Sequence, residues 1–369
     1  MNALQRMYRG ETDFDFVGAA HKTLIVSGVL VVLSLLLVLV RPLNLSIDFT
    51  GGTVLVVSNE AAVSLEEVRT AMGDVGQAGA RVQLTGDEGS GFIRIQTEAL
   101  EAGPQDDLII AVAAVASLSV NDVTVSAVGP TFGAEVTSRA LQALLIFLIV
   151  VSVFISWRFE WKMAMGALAA LFHDLIITGG IFAAFQFVVS PATVIAVLTI
   201  MGYSLYDTVV VFDKVNENVE EMHEKYIYSE IVNTSMNQVL MRSINTSLTS
   251  LLPVGSLLLI GSLAFGAQTL REFALALFIG IALGTYSSIF VAAPLLAIWK
   301  EREEDWVRTR KRVERRRLTG EKVEPARVAA VAVVEPSEIP EQAAADEPSA
   351  GSGTSGATPR PPKKRKKRR

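Results

Sequence analysis

The 369-residue chain has no cysteine and only three histidines, His21, His173 and His223. The first absence removes disulfides, thiolate metal sites, iron–sulfur ligation and cysteine nucleophiles. The second, with the imidazoles far apart in sequence, argues against a multi-histidine metal centre. Charge is scarce as well. Charged residues make up 19% of the chain against 50% hydrophobic, and the mean hydropathy is +0.41, too apolar for an ordinary soluble globule. No G-x-x-x-x-G-K-[ST] phosphate loop occurs, so ATP is not expected as a direct energy source. A literal G-x-G-x-x-G stands at Gly351, Gly353 and Gly356, but in a low-complexity stretch with neither a strand before it nor a helix after it; it is read as noise. The net charge of −5 averages segments of opposite sign, so the charges have to be located before they mean anything.

What the chain does have is long apolar runs. Leu24–Val40 is uncharged and just long enough to cross a bilayer as a helix. A cleaved signal peptide is the rival reading. The long polar lead, and Arg41-Pro42-Leu43 where small residues would be needed for cleavage, favour a retained helix. Further runs follow at Ala140–Trp157, Met163–Val189, Ala192–Phe212, about 238–261 and Phe273–Trp299. The expected organisation is a cytoplasmic segment 1–23, a first span 24–40, an external domain 41–139, five spans within 140–299 with a cytoplasmic loop 214–237, and a cytoplasmic tail 300–369. With this orientation 27 of the 33 Lys and Arg lie inside and six outside, so both termini are expected in the cytoplasm.

The segment 41–139 carries 5 basic and 13 acidic residues, which suits a solvated exported module. Leu45–Ser58 reads as a strand. Ser64-Leu65-Glu66-Glu67 is a capping-box start for a helix to about Val75. Arg81–Thr85 and Phe92–Thr97 alternate across a Gly86–Gly91 turn as a hairpin. Pro104-Gln105-Asp106-Asp107 opens a helix to about Leu118, and Asp122–Val128 is a last strand. The order βαββαβ is that of the ferredoxin-like α+β fold. In the tail, Arg308–Arg317 is a basic block expected to continue the last helix. Residues 324–362 are too poor in apolar surface to fold. The final Lys363–Arg369 run reads as attracted to anionic lipids, or to the ribosome, with no specific nucleic-acid sequence.

Ionisable groups inside apolar spans are costly and must face protein or water. The fourth span holds Asp207 in Gly202-Tyr203-Ser204-Leu205-Tyr206-Asp207-Thr208, and ends at Asp213-Lys214, a solvated helix end. The fifth opens with Arg242, which joins Asn245/Thr246 and Thr249 in one polar stripe. Asp207 and Arg242 on neighbouring helices can form a pair whose strength varies with helix separation, the minimum needed to couple proton flow to motion. His173 and Asp174, with Asp213 and Thr246, are open to either a relay or a structural role, and Asp174 is placed to bond Thr178. Ala276, Gly280, Gly284, Ser288 and Ala292 form a small-residue packing face on the last span.

Asp48-Phe49-Thr50-Gly51-Gly52-Thr53, Gly129-Pro130, His173-Asp174 with Ile177-Thr178, Gly202-Tyr203-Ser204 through Asp207-Thr208-Val209-Val210, and the Arg242 stripe together resemble the SecF protein-export membrane proteins, over about residues 12–299. The resemblance implies a six-span member of the RND superfamily in the bacterial inner membrane. Such a protein pairs with SecD beside the SecYEG channel and YajC, handles the translocating polypeptide, and uses the proton gradient for late, ATP-independent export, without enzyme activity, metal or bound cofactor. It also implies that Asp207 and Arg242 carry the proton coupling. Tyr206 departs from the family, where a smaller polar residue is expected, and the long tail has no family counterpart. Gly51-Gly52 reads as a bulge or close backbone approach at the base of the external domain. Two rival readings are a small-molecule or lipid exporter of the same superfamily and an intramembrane aspartyl protease built on Tyr206-Asp207. The first lacks a second external domain and twelve spans, the second a partner aspartate in G-x-G-D.

Overall fold

The computed structural model describes residues 12–85, 91–100, 102–223, 225–264 and 268–319. The tip of the expected hairpin turn, the glycine match at 351–356 and the low-complexity tail with its basic end lie outside the described residues. Among the described residues, six helical segments are long and apolar enough to cross a membrane. They are α1 (Ala20–Val40), α5 (Pro130–Arg158), α6 (Trp161–Phe185), α7 (Pro191–Met222), α8 (Tyr228–Ala264), and a last one built from α9 (Gln268–Ser287), a π turn at Ser288–Ala292 and α10 (Ala293–Lys300). The chain is a multispanning helical membrane protein. Most helices outrun their apolar cores: α7 continues to Met222, so much of the expected loop 214–237 is helical. α5 and α7 begin with proline in the first turn, where a missing N–H costs nothing, and Ser190 caps α7 through the Thr193 amide at 3.4 Å.

The third span stops at Phe185, short of the expected Val189. Gln186 takes the left-handed conformation (φ 54°) and ends the helix. Val188–Val189 (β6) then pairs in parallel with Asn44–Leu45 (β1). The expected strand Leu45–Ser58 is also broken: Ile47–Thr50 forms a single helical turn (α2), and β2 begins only at Gly52 (Gly52–Ser58). The cause is the glycine pair. Gly51 (φ 71°) and Gly52 (φ 128°) occupy backbone positions that L side chains rarely adopt, and a Cβ on Gly52 would lie 2.3 Å from the Thr97 carbonyl oxygen. At Gly133 a Cβ would lie 2.7 Å from the Gly51 amide nitrogen, so the signature turn seats directly on the start of α5.

Between α1 and α5 lies a four-stranded antiparallel sheet of β2, β3 (Arg81–Thr85), β4 (Phe92–Thr97) and β5 (Thr124–Val128), in the order β3-β4-β2-β5. Helices α3 (Leu65–Asp74) and α4 (Ala102–Val115) cover one face. Leu55 and Val57 of β2 and Ile93 and Ile95 of β4 point to that side and pack on Val68, Met72, Leu108 and Val112, the period-two alternation of a half-buried sheet. The expected capping box is formed, with Ser64 and Glu67 bonding each other's amides.

Within the bundle, α6, α7 and the last span form the buried centre. Leu36, Leu145, Ile149 and Leu252 on the rim helices are exposed, as a lipid-facing surface requires. The small-residue face predicted on the last span is a contact with α7: added Cβ atoms would meet Ile200 at 2.2 Å from Gly280 and Ser204 at 2.9 Å from Gly284. α1 buries only Ala20, Ser27 and Ser34; Ser34 lies against Gly180, and Ser27 bonds the Tyr286 hydroxyl at 2.9 Å. The basic block does not prolong the last span. The chain bends at Glu301–Glu303 and forms a separate helix, α11 (Glu304–Leu318). Trp306 drives the bend by packing edge-on against His223 and Tyr228, with ring centroids 4.6 and 4.7 Å away. Ion pairs Lys162–Glu303 (2.8 Å) and Arg317–Glu230 (2.9 Å), with Lys300–Glu160 and Arg310–Glu301, close this end.

Candidate functional site

Asp207 sits mid-way along α7 and is 7% exposed. Ser243 of α8 donates its hydroxyl to Asp207 Oδ1 at 2.8 Å, while Oδ2 has no hydrogen-bond partner among the described residues. Arg242 lies beside this contact but does not enter it. Its guanidinium donates to the Tyr206 hydroxyl at 3.2 Å on the exposed side of the helix pair. The expected Asp207–Arg242 ion pair is therefore absent in this conformation, among the described residues. Two adjacent cross-helix contacts replace it, Tyr206 to Arg242 and Asp207 to Ser243. Tyr206 is what holds the arginine.

The polar stripe on α8 is likewise displaced by one residue. Arg242, Asn245 and Thr249 are exposed, and Thr246 and Thr249 spend their hydroxyls on carbonyls of their own helix. The buried stripe is Ser243 and Ser247, with Ser250 partly covered. Ser247 bonds Thr285 of α9 at 2.6 Å, and Tyr203 donates to the Thr246 carbonyl at 2.9 Å. Reading the serines at 243 and 247 as an (i, i+4) pair in apolar sequence would have found this face.

A second polar centre lies between α6, α7 and α9. His173 and Asp174 are 5% and 2% exposed. His173 Nδ1 is 3.0 Å from Asp174 Oδ1, and Asp174 Oδ2 accepts the hydroxyls of Ser204 (2.6 Å) and Ser287 (2.7 Å). These partners replace the expected Thr178. Tyr286 stacks on the imidazole, centroids 6.1 Å apart. One turn further along the same face of α7, Thr208 and Ser288 share a hydrogen bond of 2.9 Å. Sequence reasoning took Ser204 only as part of a motif and Ser288 only as a small packing residue, and did not single out Ser287. Their signal is hydroxyls at positions that the small-residue stripe already brings against α7.

Asp213 accepts from Arg158 at 2.8 Å with both side chains about half exposed, a solvated helix end. Asp48 takes the Ser46 hydroxyl at 2.8 Å, Phe49 is buried, and Thr50 bonds the carbonyls of Ser46 and Gly51. Thr53 is buried in β2, so the signature serves the turn described above. The open face of the sheet borders a cleft of about 680 Å³ whose lining includes Val54, Phe92 and Ser126 and, from the spans, Ser190 and Glu272. Arg94 reaches across it to Glu272 at 3.3 Å, both side chains nearly buried. Among the described residues no group of three His, Asp or Glu is placed to hold a metal ion.

Residues 109–302 match the family described as protein export membrane protein SecD/SecF, C-terminal, and residues 36–58, around the glycine turn, match the SecD/SecF GG motif. The chain belongs to the SecD/SecF family of protein-export membrane proteins. It is 38% identical over 317 residues to the protein translocase subunit SecF of Streptomyces coelicolor, covering 85% of this chain and 84% of that one. It is also 38% identical to the SecF of Mycobacterium leprae, covering 87% and 71%. Among solved structures it resembles SecDF of Thermus thermophilus at 33% identity and a TM-score of 0.71, over 79% of this chain. That match spans 39% of the SecDF chain. Against SecDF in its super-membrane-facing form the TM-score is 0.58 over 81% of this chain. The two family matches cover the GG turn and, within 109–302, the helices that carry Asp207 and Arg242.

Proposed function

We propose that this chain is the SecF-type accessory subunit of a Sec protein translocase, and that it couples proton entry at Asp207 to late, ATP-independent steps of export. The observation that carries the reading is Asp207 itself: a carboxylate enclosed in the membrane core with one oxygen bonded to Ser243 and the other unpartnered. Such a group is costly unless it is used. Arg242 is held one residue away by Tyr206. A turn of its side chain from the Tyr206 hydroxyl towards the free Asp207 oxygen would exchange a neutral contact for an ion pair. Deprotonation of Asp207 draws the arginine in and protonation releases it, so proton traffic changes how α7 and α8 are joined.

The likeness to SecF and SecDF proteins supports SecD as the partner, and with it the SecYEG channel, YajC and a translocating polypeptide. The proton gradient is then the energy source, with no catalysis and no bound cofactor. The element and strand order of the small domain support a ferredoxin-like module. The excess of Lys and Arg at the opposite end of the bundle supports placing that module outside a bacterial inner membrane, with both termini in the cytoplasm. The protease alternative lacks support, because Asp174 is engaged by His173, Ser204 and Ser287.

The test is export into inverted vesicles with and without a proton gradient, normalised to assembled complex. Asp207→Asn keeps the shape and removes the titratable charge; it should assemble and lose the gradient-dependent part of export. Arg242→Lys, which loses the planar fork, should be impaired as well. A gradient response of wild-type size in Asp207→Asn would make the residue a buried strut.

A further inference from the structure

Two buried polar atoms near the middle of the spans lack a hydrogen-bond partner among the described residues, Asp207 Oδ2 and His173 Nε2. Both belong to side chains that exchange protons. An unpaired polar atom in a bilayer core is costly, so the second instance calls for a function as the first does.

The surroundings of His173 set its protonation chemistry. Asp174 receives two hydroxyl hydrogens at Oδ2, from Ser204 and Ser287, and faces His173 Nδ1 with Oδ1. A carboxylate used as acceptor on both oxygens leaves the ring hydrogen on Nδ1, and the neutral imidazole then presents its lone pair at Nε2. The titratable groups facing the ring are Asp174 on its own helix and Tyr286 on α9. α1 contributes Ser27, which bonds Tyr286, and α7 contributes Ser204, which bonds Asp174; neither carries charge. The stack against Tyr286 and the 5% exposure keep the ring orientation fixed.

We propose that His173 is a second proton-carrying side chain of the membrane core, with Nε2 as the exchange atom and Asp174 as its fixed counter-charge. The inference rests on the proton-coupling reading of Asp207 and adds a second site on the neighbouring helix. In the step, an N–H bond forms at Nε2 as an O–H bond of the donor, hydronium or water, breaks. The ring goes from neutral to cationic, Nδ1–H stays on Asp174, and release reverses the sequence; no electrons move. The charge is read by α7. Ser204 joins Asp174 to the helix that carries Asp207 three residues later, and Ser288 bonds both the Ser204 carbonyl at 3.3 Å and the Thr208 hydroxyl. Protonation at His173 therefore alters the hydrogen bonds that fix the turn bearing Asp207.

Gradient-driven export in inverted vesicles, followed across pH, is the first measurement. His173→Gln should change the shape of the pH profile and lower the gradient-dependent part by about fivefold or more at pH 7. Asp174→Asn keeps the imidazole but removes its counter-charge, and should lower the gradient-dependent part as well. A His173→Gln profile that superimposes on wild type overturns the proposal. Should that variant not assemble, the protonation of His173 is read directly by nitrogen NMR of the lipid-embedded His21→Gln/His223→Gln protein. One imidazole that titrates supports the proposal, and one that keeps a single protonation state from pH ~5 to ~9 overturns it. Asp207→Asn serves as the separating arm, because a retained gradient response there removes the coupling reading whatever His173 does.

Discussion

Ser243 on α8 donates its hydroxyl to Asp207 on α7 at 2.8 Å, while Arg242, the residue before it, turns away to Tyr206. One helix thus offers the carboxylate a neutral partner now and a charged one within a side-chain rotation. Ser243→Ala deletes the bond that is made and leaves a buried carboxylate with neither oxygen satisfied, which costs about 1–3 kcal/mol. Gradient-dependent export per assembled complex should fall several-fold, and Ser243→Thr should restore most of it. An alanine variant with wild-type coupling would show that the hydrogen bond plays no part.

Gly280 is the tightest point between the last span and α7. A methyl added there lies 2.2 Å from Ile200, so Gly280→Ala should destabilise the detergent-purified protein by about 1–3 kcal/mol. Ile200→Val in the same chain should recover part of the loss by withdrawing the side-chain tip. Equal thermal stability of Gly280→Ala and wild type would mean that the two helices separate more easily than their packing implies.

The Arg94–Glu272 pair ties the small domain to the start of α9 with side chains 10% and 14% exposed. Removing one partner from such a pair strands the other charge, at about 3–5 kcal/mol. Arg94→Ala and Glu272→Ala should each destabilise strongly, and the double variant should cost much less than the sum. A double-mutant cycle read by thermal unfolding checks this; strict additivity would show the charges to be solvated separately.

At the opposite end, α11 is held by carboxylates with lowered pKa values. Burial pushes Glu301 up, but hydrogen bonds from Ser229 and Arg310 and the Arg310 charge outweigh it. Glu303 is pulled down in the same way by Lys162 and Lys300. A depressed folded pKa gives stability that is complete above the ordinary value of 4.5 and is lost as pH falls through the folded value. Acidification below pH ~4 should therefore undock α11 before the spans unfold, reported by Trp306 fluorescence in a protein whose other three tryptophans are phenylalanine. A Trp306 signal unchanged to pH ~3 would refute the ion-pair account.

These outcomes mark where local sequence signals suffice. The hairpin bounds Arg81–Thr85 and Phe92–Thr97, the Ser64 capping box and the existence of six spans were all legible, because alternation, capping and apolar length are written within one element. The site was half legible. Asp207 stands out as a carboxylate in apolar sequence, but a stripe at 242, 246 and 249 has the same spacing as one at 243, 247 and 250. Only the position of α7 decides which is buried, and the long Arg242 side chain can reach outward where a serine cannot. The end of α6 at Gln186 is tied to β1 meeting β6 across more than a hundred residues, and the bend before α11 depends on Trp306 finding His223 and Tyr228. Neither partner is visible from its own neighbourhood.

The first span shows how little of a helix a protein has to specify. Of the 21 residues of α1, the fold fully encloses Ala20, Ser27 and Ser34, spaced by sevens; its most exposed large residues, Leu39 and Val40, are 79% and 77% open. Most of its information content therefore belongs to the bilayer, which reads only apolarity and accepts Leu, Val or Ile alike. The identity of the helix is stored in two hydroxyl-sized notches. Over evolutionary time its lipid-facing letters are free to drift, while a bulky side chain at Ser27 or Ser34 would lift the helix away from Tyr286 and Gly180 and leave the chain with a span that inserts but does not dock.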